Sequence, residues 1–180
     1  LEEVVWMITG GGFRRRFVVG PGIGEGAEYA EKGDAVGDAV MDADDENPLN
    51  VPENYTKYDY QMDAVVEGYQ KLLRYDGFFL ADVVGLGKTV IATMIAKKFL
   101  QENGRDNTKI LVVYPPAVEQ NWKTTFKDFG IDKYTKFITN GSLNKVLDED
   151  NYDYWNADEY DLVLVDEAHK FRSHTTNAFE

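Results

Sequence analysis

The residues with the clearest chemistry lie at positions 78–89, where a strand-like apolar run ends in glycines followed by Lys-Thr. Glycines let a backbone approach an anion closely, successive N–H groups point at its oxygens, and a helix N-terminus adds partial positive charge. In such a loop Lys88 reaches the β- and γ-phosphates of a nucleotide, and the Thr89 hydroxyl ligates Mg²⁺. The stretch therefore predicts a polyphosphate-binding loop.

The eight-residue pattern G-x-x-x-x-G-K-[ST] fits residues 82–89, except that Asp82 stands in place of the first glycine. A chance Gly-Lys-Thr at a helix start is the alternative interpretation. The nucleotide-binding interpretation is favoured because a strand-like run precedes the loop and a helical pattern follows it. The residues expected to bind the nucleotide here are Val84, Gly85, Leu86, Gly87, Lys88 and Thr89.

A pair of carboxylates supplies what a phosphate loop lacks for hydrolysis, namely a metal ligand and a group that positions water. Residues 161–166 read as a buried strand that ends in Asp166-Glu167. Because α/β sheets place ligand-facing residues at the carboxyl ends of their strands, Asp166 can hold Mg²⁺ opposite Thr89. Glu167 can orient or deprotonate the attacking water. An ordinary acidic turn would be the simpler interpretation of this pair alone; the upstream loop favours catalysis.

The elements that must position these residues alternate between strand and helix. Such alternation predicts an α/β domain with a mostly parallel sheet and flanking helices. The expected strands are residues 78–83, 109–114, 136–139 and 161–166, and the expected helices are residues 58–74, 88–102 and 117–129. A further helix is expected to start at residues 142–147, with Ser142 as its cap.

The first 54 residues form an acidic, glycine-rich flank, and Pro52 marks the boundary to the predicted domain at residues 55–180. The flank carries twelve Asp/Glu against four Lys/Arg, and its segment 42–46 reads as a solvated linker. A strand is expected near residues 4–8, where the sequence is apolar. The flank has no assigned function.

Composition excludes several classes of protein. The chain has no cysteine, which rules out disulfides and Cys-ligated zinc. No apolar run approaches the roughly 18 residues of a membrane span, so no membrane partner is expected. The acidic N-terminus does not resemble a signal peptide, and a cytoplasmic location is expected. The net charge of −13 argues against strong electrostatic binding of nucleic acid, although much of the excess acid lies in the flank.

Two motifs together resemble a known family. Gly85-Leu-Gly-Lys-Thr89 and Asp166-Glu-Ala-His169 are similar to motifs I and II of superfamily-two helicases and translocases. The residue-by-residue sequence around these motifs resembles the Swi/Snf-like branch. The similar segments are residues 81–89, 112–117 and 166–173. That branch usually carries acidic and methionine-like residues at the positions of Val83 and Val84. The resemblance covers residues 55–173 and none of the flank.

The resemblance implies a RecA-like P-loop NTPase domain that uses ATP and Mg²⁺, with Gln61 reading the adenine. It also implies that His169 couples ATP hydrolysis to movement. The pair Asn121-Trp122 matches the family's sequence pattern, but the resemblance gives it no role. The motor core of this family has two RecA-like lobes. This chain is therefore expected to be an incomplete first lobe, with the second lobe in the same full-length chain. The positions that correspond to nucleic-acid contacts are Pro115, Pro116, Ala117, Thr139, Asn140, Gly141 and Ser142.

The resemblance also sets an expectation for activity. The second lobe normally supplies an arginine finger, worth about 10³–10⁵-fold in rate in related phosphotransfer systems. The 180-residue chain alone is therefore expected to bind nucleotide weakly and to hydrolyse it barely.

Three functions stay open at this point. The chain is expected to belong to an ATP-driven translocase or remodeller of double-stranded DNA. A strand-separating DNA or RNA helicase is the second reading, and a non-catalytic, nucleotide-dependent binding module is the third. The presence of both Lys88 and Glu167 argues against the third. DNA is favoured over RNA as the partner, although no reader of bases or 2′-hydroxyls is recognisable in the sequence.

Overall fold

The computed structural model describes residues 4–9, 49–81, 87–104, 108–148 and 150–168. Five strands lie in these segments: β1 Val4–Thr9, β2 Gly77–Ala81, β3 Ile110–Tyr114, β4 Thr135–Thr139 and β5 Leu162–Val165. The α-helices of the same segments are α1 Asp59–Tyr75, α2 Lys88–Asn103, α3 Glu119–Asp128 and the short α4 Asn144–Leu147. Short 3₁₀ turns cover Pro116–Val118, Asp132–Tyr134, Asn140–Ser142 and Ala157–Glu159.

The strands form one sheet in the order β2-β1-β5-β3-β4. Strand β3 pairs in parallel with β4 and with β5, whereas β1 pairs antiparallel with both β2 and β5. Strands β2, β3, β4 and β5 therefore run in one direction and β1 runs against them. The predicted α/β class with a mostly parallel sheet is confirmed, and β1 is the exception within it.

Strand β1 occupies a central position. Its residue Trp6 pairs with Phe79 of β2 on one side and with Val165 of β5 on the other. Met7 and Ile8 are both fully buried. The strand that precedes the phosphate loop and the strand that precedes Asp166 are thus joined through a segment of the acidic flank.

The central strands are covered on both faces, as their continuous apolar sequences predict. In β3, Ile110 and Val112 belong to the cluster that also contains the buried residues of α1, α2 and α3. Their neighbours Leu111 and Val113 belong to a second cluster on the opposite face, together with Tyr160. This two-sided burial fixes the strand register, because a slip of one residue would exchange the two faces.

Helix boundaries agree with the predictions to within two residues. One predicted helix cap does not form. The expected Ser142 cap is wrong, because residues Asn140–Ser142 form a 3₁₀ turn and α4 begins only after Leu143, with no side-chain cap. The Ser142 hydroxyl instead accepts a hydrogen bond from the Thr139 hydroxyl at 3.2 Å. No helix in the described segments is both long and apolar enough to cross a membrane.

Candidate nucleotide-binding site

The start of helix α2 carries the Gly-Lys-Thr end of the predicted phosphate loop. Gly87 precedes the helix with φ 80° and ψ 37°, a left-handed conformation that suits glycine, and it offers no side chain to cap the helix. The first helical hydrogen bond runs from the Ile91 N–H to the Gly87 carbonyl at 3.0 Å. An uncapped helix start leaves its first N–H groups available to an anion. Lys88, the first residue of α2, is 7% exposed.

Gln61 lies against the same loop end. It stands in the first turn of α1 and is 5% exposed. Its Nε2 atom lies 2.8 Å from the position that a Cβ atom on Gly87 would take. Two residues predicted to bind nucleotide, 26 positions apart in sequence, are therefore brought into contact.

Asp166 follows the last residue of β5. Its N–H donates to the Val113 carbonyl at 2.8 Å, which extends the pairing with β3 by one residue. Its Oδ1 atom accepts a hydrogen bond from the Glu167 N–H at 2.8 Å. Glu167 itself has φ 51°, in the left-handed region that residues other than glycine seldom adopt. Strain of this kind clusters at functional sites, and here it falls on the residue expected to position water.

Helix α3 connects the two predicted metal ligands. The Asn121 side-chain amide donates to the Thr89 hydroxyl oxygen at 3.2 Å. The next residue, Trp122, donates from its indole N–H to Asp166 Oδ2 at 2.8 Å. Thr89 and Asp166 are therefore hydrogen-bonded to two consecutive residues of a third element. The sequence offered one signal for this link, the position of the Asn-Trp pair soon after the proline pair, but gave it no role.

The segments expected to contact nucleic acid lie at the same edge of the sheet. Pro115 follows β3 and is buried, whereas Pro116 and Ala117 in the next turn are exposed. Gly141 follows β4 and is exposed as well. Because β3, β4 and β5 are parallel, their carboxyl ends meet at the edge where Asp166 lies. Thr139, Asn140 and Ser142 are half-buried around the second turn.

Comparison with known proteins decides the family. A family model described as "Type III restriction enzyme, res subunit" (ResIII) matches residues 54–179. The chain belongs to this family. The ResIII match and the five-stranded sheet with its flanking helices show a superfamily-two, RecA-like helicase-type domain.

A relative of known sequence agrees with the ResIII assignment. The chain is 26% identical to "Uncharacterized ATP-dependent helicase YqhH" of Bacillus subtilis (strain 168), over 74% of this chain. It spans 25% of the length of that relative. No solved structure matches the chain.

The oxygen donors of this ResIII site fit Mg²⁺. Thr89 offers a hydroxyl oxygen and Asp166 a carboxylate, both hard ligands of the kind that Mg²⁺ prefers. Among the residues that the structure describes, no three His, Asp or Glu side chains gather into a metal cage. Mg²⁺ is usually bound through one or two protein oxygens together with waters and nucleotide phosphates.

Two titratable groups near this edge keep their protons well above neutral pH. Burial raises the pKa of the Tyr114 phenol at the end of β3. A hydrogen bond to Glu119 raises the pKa of Lys123 on α3. Tyr114 thus stays neutral and Lys123 stays charged, so neither is suited to exchange protons near pH 7.

Some predicted residues of the ResIII site lie outside the described segments. These are Val84, Gly85 and Leu86 of the phosphate loop and His169 after the Asp-Glu pair. Their roles stay predictions.

Proposed function

We propose that this chain is the ATP-binding and ATP-hydrolysing lobe of a nucleic-acid-dependent motor that moves along double-stranded DNA. The observation that carries the proposal is the junction at helix α3. Asn121 and Trp122 hydrogen-bond to Thr89 and Asp166, which supports a shared site for a phosphate-loop hydroxyl and a strand-end carboxylate. This is the pair of oxygen donors that a Mg²⁺-nucleotide requires.

In this proposal each side chain at the loop has one task. Lys88 binds the β- and γ-phosphates, and Gln61 beside Gly87 reads the adenine. Thr89 and Asp166 hold Mg²⁺, which when bound neutralises charge on the phosphate oxygens.

Glu167 orients or deprotonates the attacking water. Its backbone is tied to Asp166 through the hydrogen bond from its own N–H, so the water-positioning and metal-binding residues form one rigid unit. His169 couples hydrolysis to movement.

The turns after β3 and β4 would lie along the nucleic-acid backbone. The exposure of Pro116, Ala117 and Gly141 supports this role, since a phosphate backbone needs accessible partners. The amino-acid sequences of the motifs favour the Swi/Snf-like branch with a DEAH-type motif II. This resemblance favours DNA over RNA as the partner. A second RecA-like lobe in the full-length protein would close over the nucleotide and supply the arginine finger.

The test of nucleotide binding compares two buried lysines of the same helix. Lys88 and Lys98 are each 7% exposed, but Lys98 pairs with Glu102 away from the loop. In the full chain, Lys88→Ala is expected to abolish ATP binding measured by calorimetry, whereas Lys98→Ala is expected to lower thermal stability and leave the affinity intact. Unchanged affinity in Lys88→Ala would overturn the loop assignment.

A strand-separating helicase is the second candidate, because the relative from Bacillus subtilis is described as an ATP-dependent helicase. The two motors differ in what they displace. A translocase removes a third strand from a DNA triplex without opening the duplex, whereas a helicase releases one strand of a tailed duplex. Triplex displacement without unwinding of DNA or RNA duplexes supports the translocase; unwinding of either duplex supports the helicase.

The non-catalytic alternative is tested separately. Glu167→Gln is expected to leave ATP binding intact and to abolish nucleic-acid-stimulated hydrolysis by the full-length protein. Full hydrolysis by this variant would remove Glu167 from the role given to it here.

A further inference from the structure

We propose that Asn121 and Trp122 are positioning residues that set the orientation of the two Mg²⁺ ligands, Thr89 and Asp166. Neither residue is among those expected to touch nucleotide, metal or nucleic acid. The inference rests on the proposed function, because it concerns how the same site holds its metal. It is carried by the two hydrogen bonds from helix α3 and by the burial of one of their donors.

The Trp122 contact fixes the carboxylate. Trp122 is fully buried, and its indole N–H, a donor with no acceptor capacity, is directed at Asp166 Oδ2 at 2.8 Å. The other oxygen, Oδ1, accepts from the Glu167 N–H at 2.8 Å. With a donor on each oxygen, the carboxylate plane is held in one orientation.

The Asn121 contact fixes the hydroxyl. Its amide donates to the Thr89 oxygen at 3.2 Å, and a hydroxyl oxygen has two acceptor sites. One of these sites is used by Asn121, which leaves the other for a cation. The hydroxyl therefore presents its remaining lone pair in a defined direction. Asn121 itself is exposed, so its side chain is not needed to fill the core.

Both donors move with one helix. Trp122 belongs to the large core cluster and its ring packs against Phe126, with centroids 5.8 Å apart. Helix α3 starts directly after the Pro116–Val118 turn, where nucleic acid is expected to bind. A shift of this helix would alter both metal ligands together.

The experiment measures metal affinity apart from catalysis. Binding of a fluorescent ADP analogue to the full chain is titrated with Mg²⁺, and is measured again in EDTA without metal. Trp122→Phe keeps an aromatic ring in the core but removes the N–H. Its matched control is Trp155→Phe, in the cluster on the opposite face of the sheet. Asn121→Ala is paired with Gln120→Ala, since Gln120 is exposed on the same helix and bonds only within it, to Thr124.

Trp122→Phe is expected to weaken the apparent Mg²⁺ affinity by about 10–100-fold, the usual effect of losing a partner that orients a metal ligand. Asn121→Ala is expected to weaken it by about 10-fold, the lower end of the same range. Metal-free affinity should stay within about twofold of the parent in both variants, and the two controls should titrate like the parent. Because Asn121 is exposed, its variant decides the question even if Trp122→Phe does not fold.

Three results would count against the inference. Mg²⁺ titrations of both variants that coincide with their controls overturn it. So does an equal loss of affinity with and without metal, which would indicate a merely structural role. A parent chain whose nucleotide binding does not respond to Mg²⁺ overturns the proposed function itself, and that outcome is separate from the other two.

Discussion

The side-chain amide of Gln61 takes the space that a Cβ atom on Gly87 would need, with Nε2 2.8 Å from that position. Gly87→Ala must therefore displace Gln61, and it must also place a side chain at φ 80°. We expect nucleotide affinity of the full chain to fall by at least about 10-fold, or about 1.4 kcal/mol. Calorimetric titration with a non-hydrolysable ATP analogue measures this loss.

A substitution at Gly130 is the control that distinguishes the effect of backbone strain from the effect of the contact with Gln61. Gly130 also has positive φ, 69°, but a Cβ there would meet nothing within 4 Å. Gly130→Ala should cost about 1–2 kcal/mol of stability from left-handed strain and leave nucleotide affinity unchanged. Equal affinities in the Gly87 and Gly130 variants would show that the contact with Gln61 does not shape the site.

Much of the site follows from local sequence. A glycine-rich turn between an apolar run and a helical pattern places Lys88 and Thr89 at a helix start, and the structure confirms that start at Lys88. Asp166 follows a strand that is apolar throughout, so both its secondary structure and its edge of the sheet are predictable. These features depend on neighbours in the chain.

Other features depend on distant contacts and escape local reasoning. The pairing of β1 with β2 and β5 is decided by which strand lies between those two, not by the apolar run at residues 4–8. The Trp122–Asp166 hydrogen bond joins residues 44 positions apart. The left-handed backbone of Glu167 has no marker in its residue type, because such a conformation normally suggests Gly, Asn or Asp.

The backbone of Glu167 allows function and stability to be separated. Left-handed φ costs about 1–2 kcal/mol in a residue with a side chain, while glycine costs about 0.5–1 kcal/mol in lost chain entropy. Relief of this strain therefore limits any gain in stability from Glu167→Gly to about 1.5 kcal/mol. The same change should reduce ATP hydrolysis by about 10²–10⁴-fold, the usual contribution of a general base. Urea unfolding and phosphate release are the two measurements.

Asp76 is the matched position outside the site. It ends helix α1 with φ 55°, so Asp76→Gly relieves the same kind of strain. This variant should gain no more than a similar amount of stability, because it also loses the contact between Asp76 Oδ1 and the Thr9 hydroxyl at 3.5 Å. It should keep the hydrolysis rate of the parent. Hydrolysis by Glu167→Gly at the rate of the parent would contradict the role given to Glu167.

Met7 tests the central position of β1. Its side chain is fully buried in the core cluster on one face of the sheet, and replacing a buried Met by Ala typically costs about 2–5 kcal/mol. Met7→Ala should lower the free energy of unfolding in urea by an amount in this range. Because β1 joins the strands on either side, nucleotide affinity should fall with it.

Phe79 on the neighbouring strand is the control. Its side chain is 49% exposed and stacks on Trp6 with centroids 5.4 Å apart. Phe79→Ala should cost about 1 kcal/mol, mainly from the lost aromatic contact. If Met7→Ala costs no more than Phe79→Ala, β1 does not lie between β2 and β5 in solution.

Tyr69 gives the fold a defined response to alkaline pH. Burial on α1, together with the charge of Glu102, raises the pKa of its phenol from 10.0 to about 12. The neutral phenol therefore favours the folded state; this contribution is complete below pH 10 and is lost as pH rises through about 12. Two pKa units correspond to at most about 2.7 kcal/mol.

Tyr69→Phe removes the ionisable group but keeps the ring, so it isolates this contribution. The stability advantage of the parent over the variant, from urea unfolding between pH 9 and pH 12, should shrink as pH rises because only the parent can ionise. Glu102→Gln should weaken the pH response without abolishing it, since burial is the larger cause of the shift. If the difference in free energy of unfolding between the parent and Tyr69→Phe stays constant across this range, the phenol has the same pKa in the folded and unfolded states.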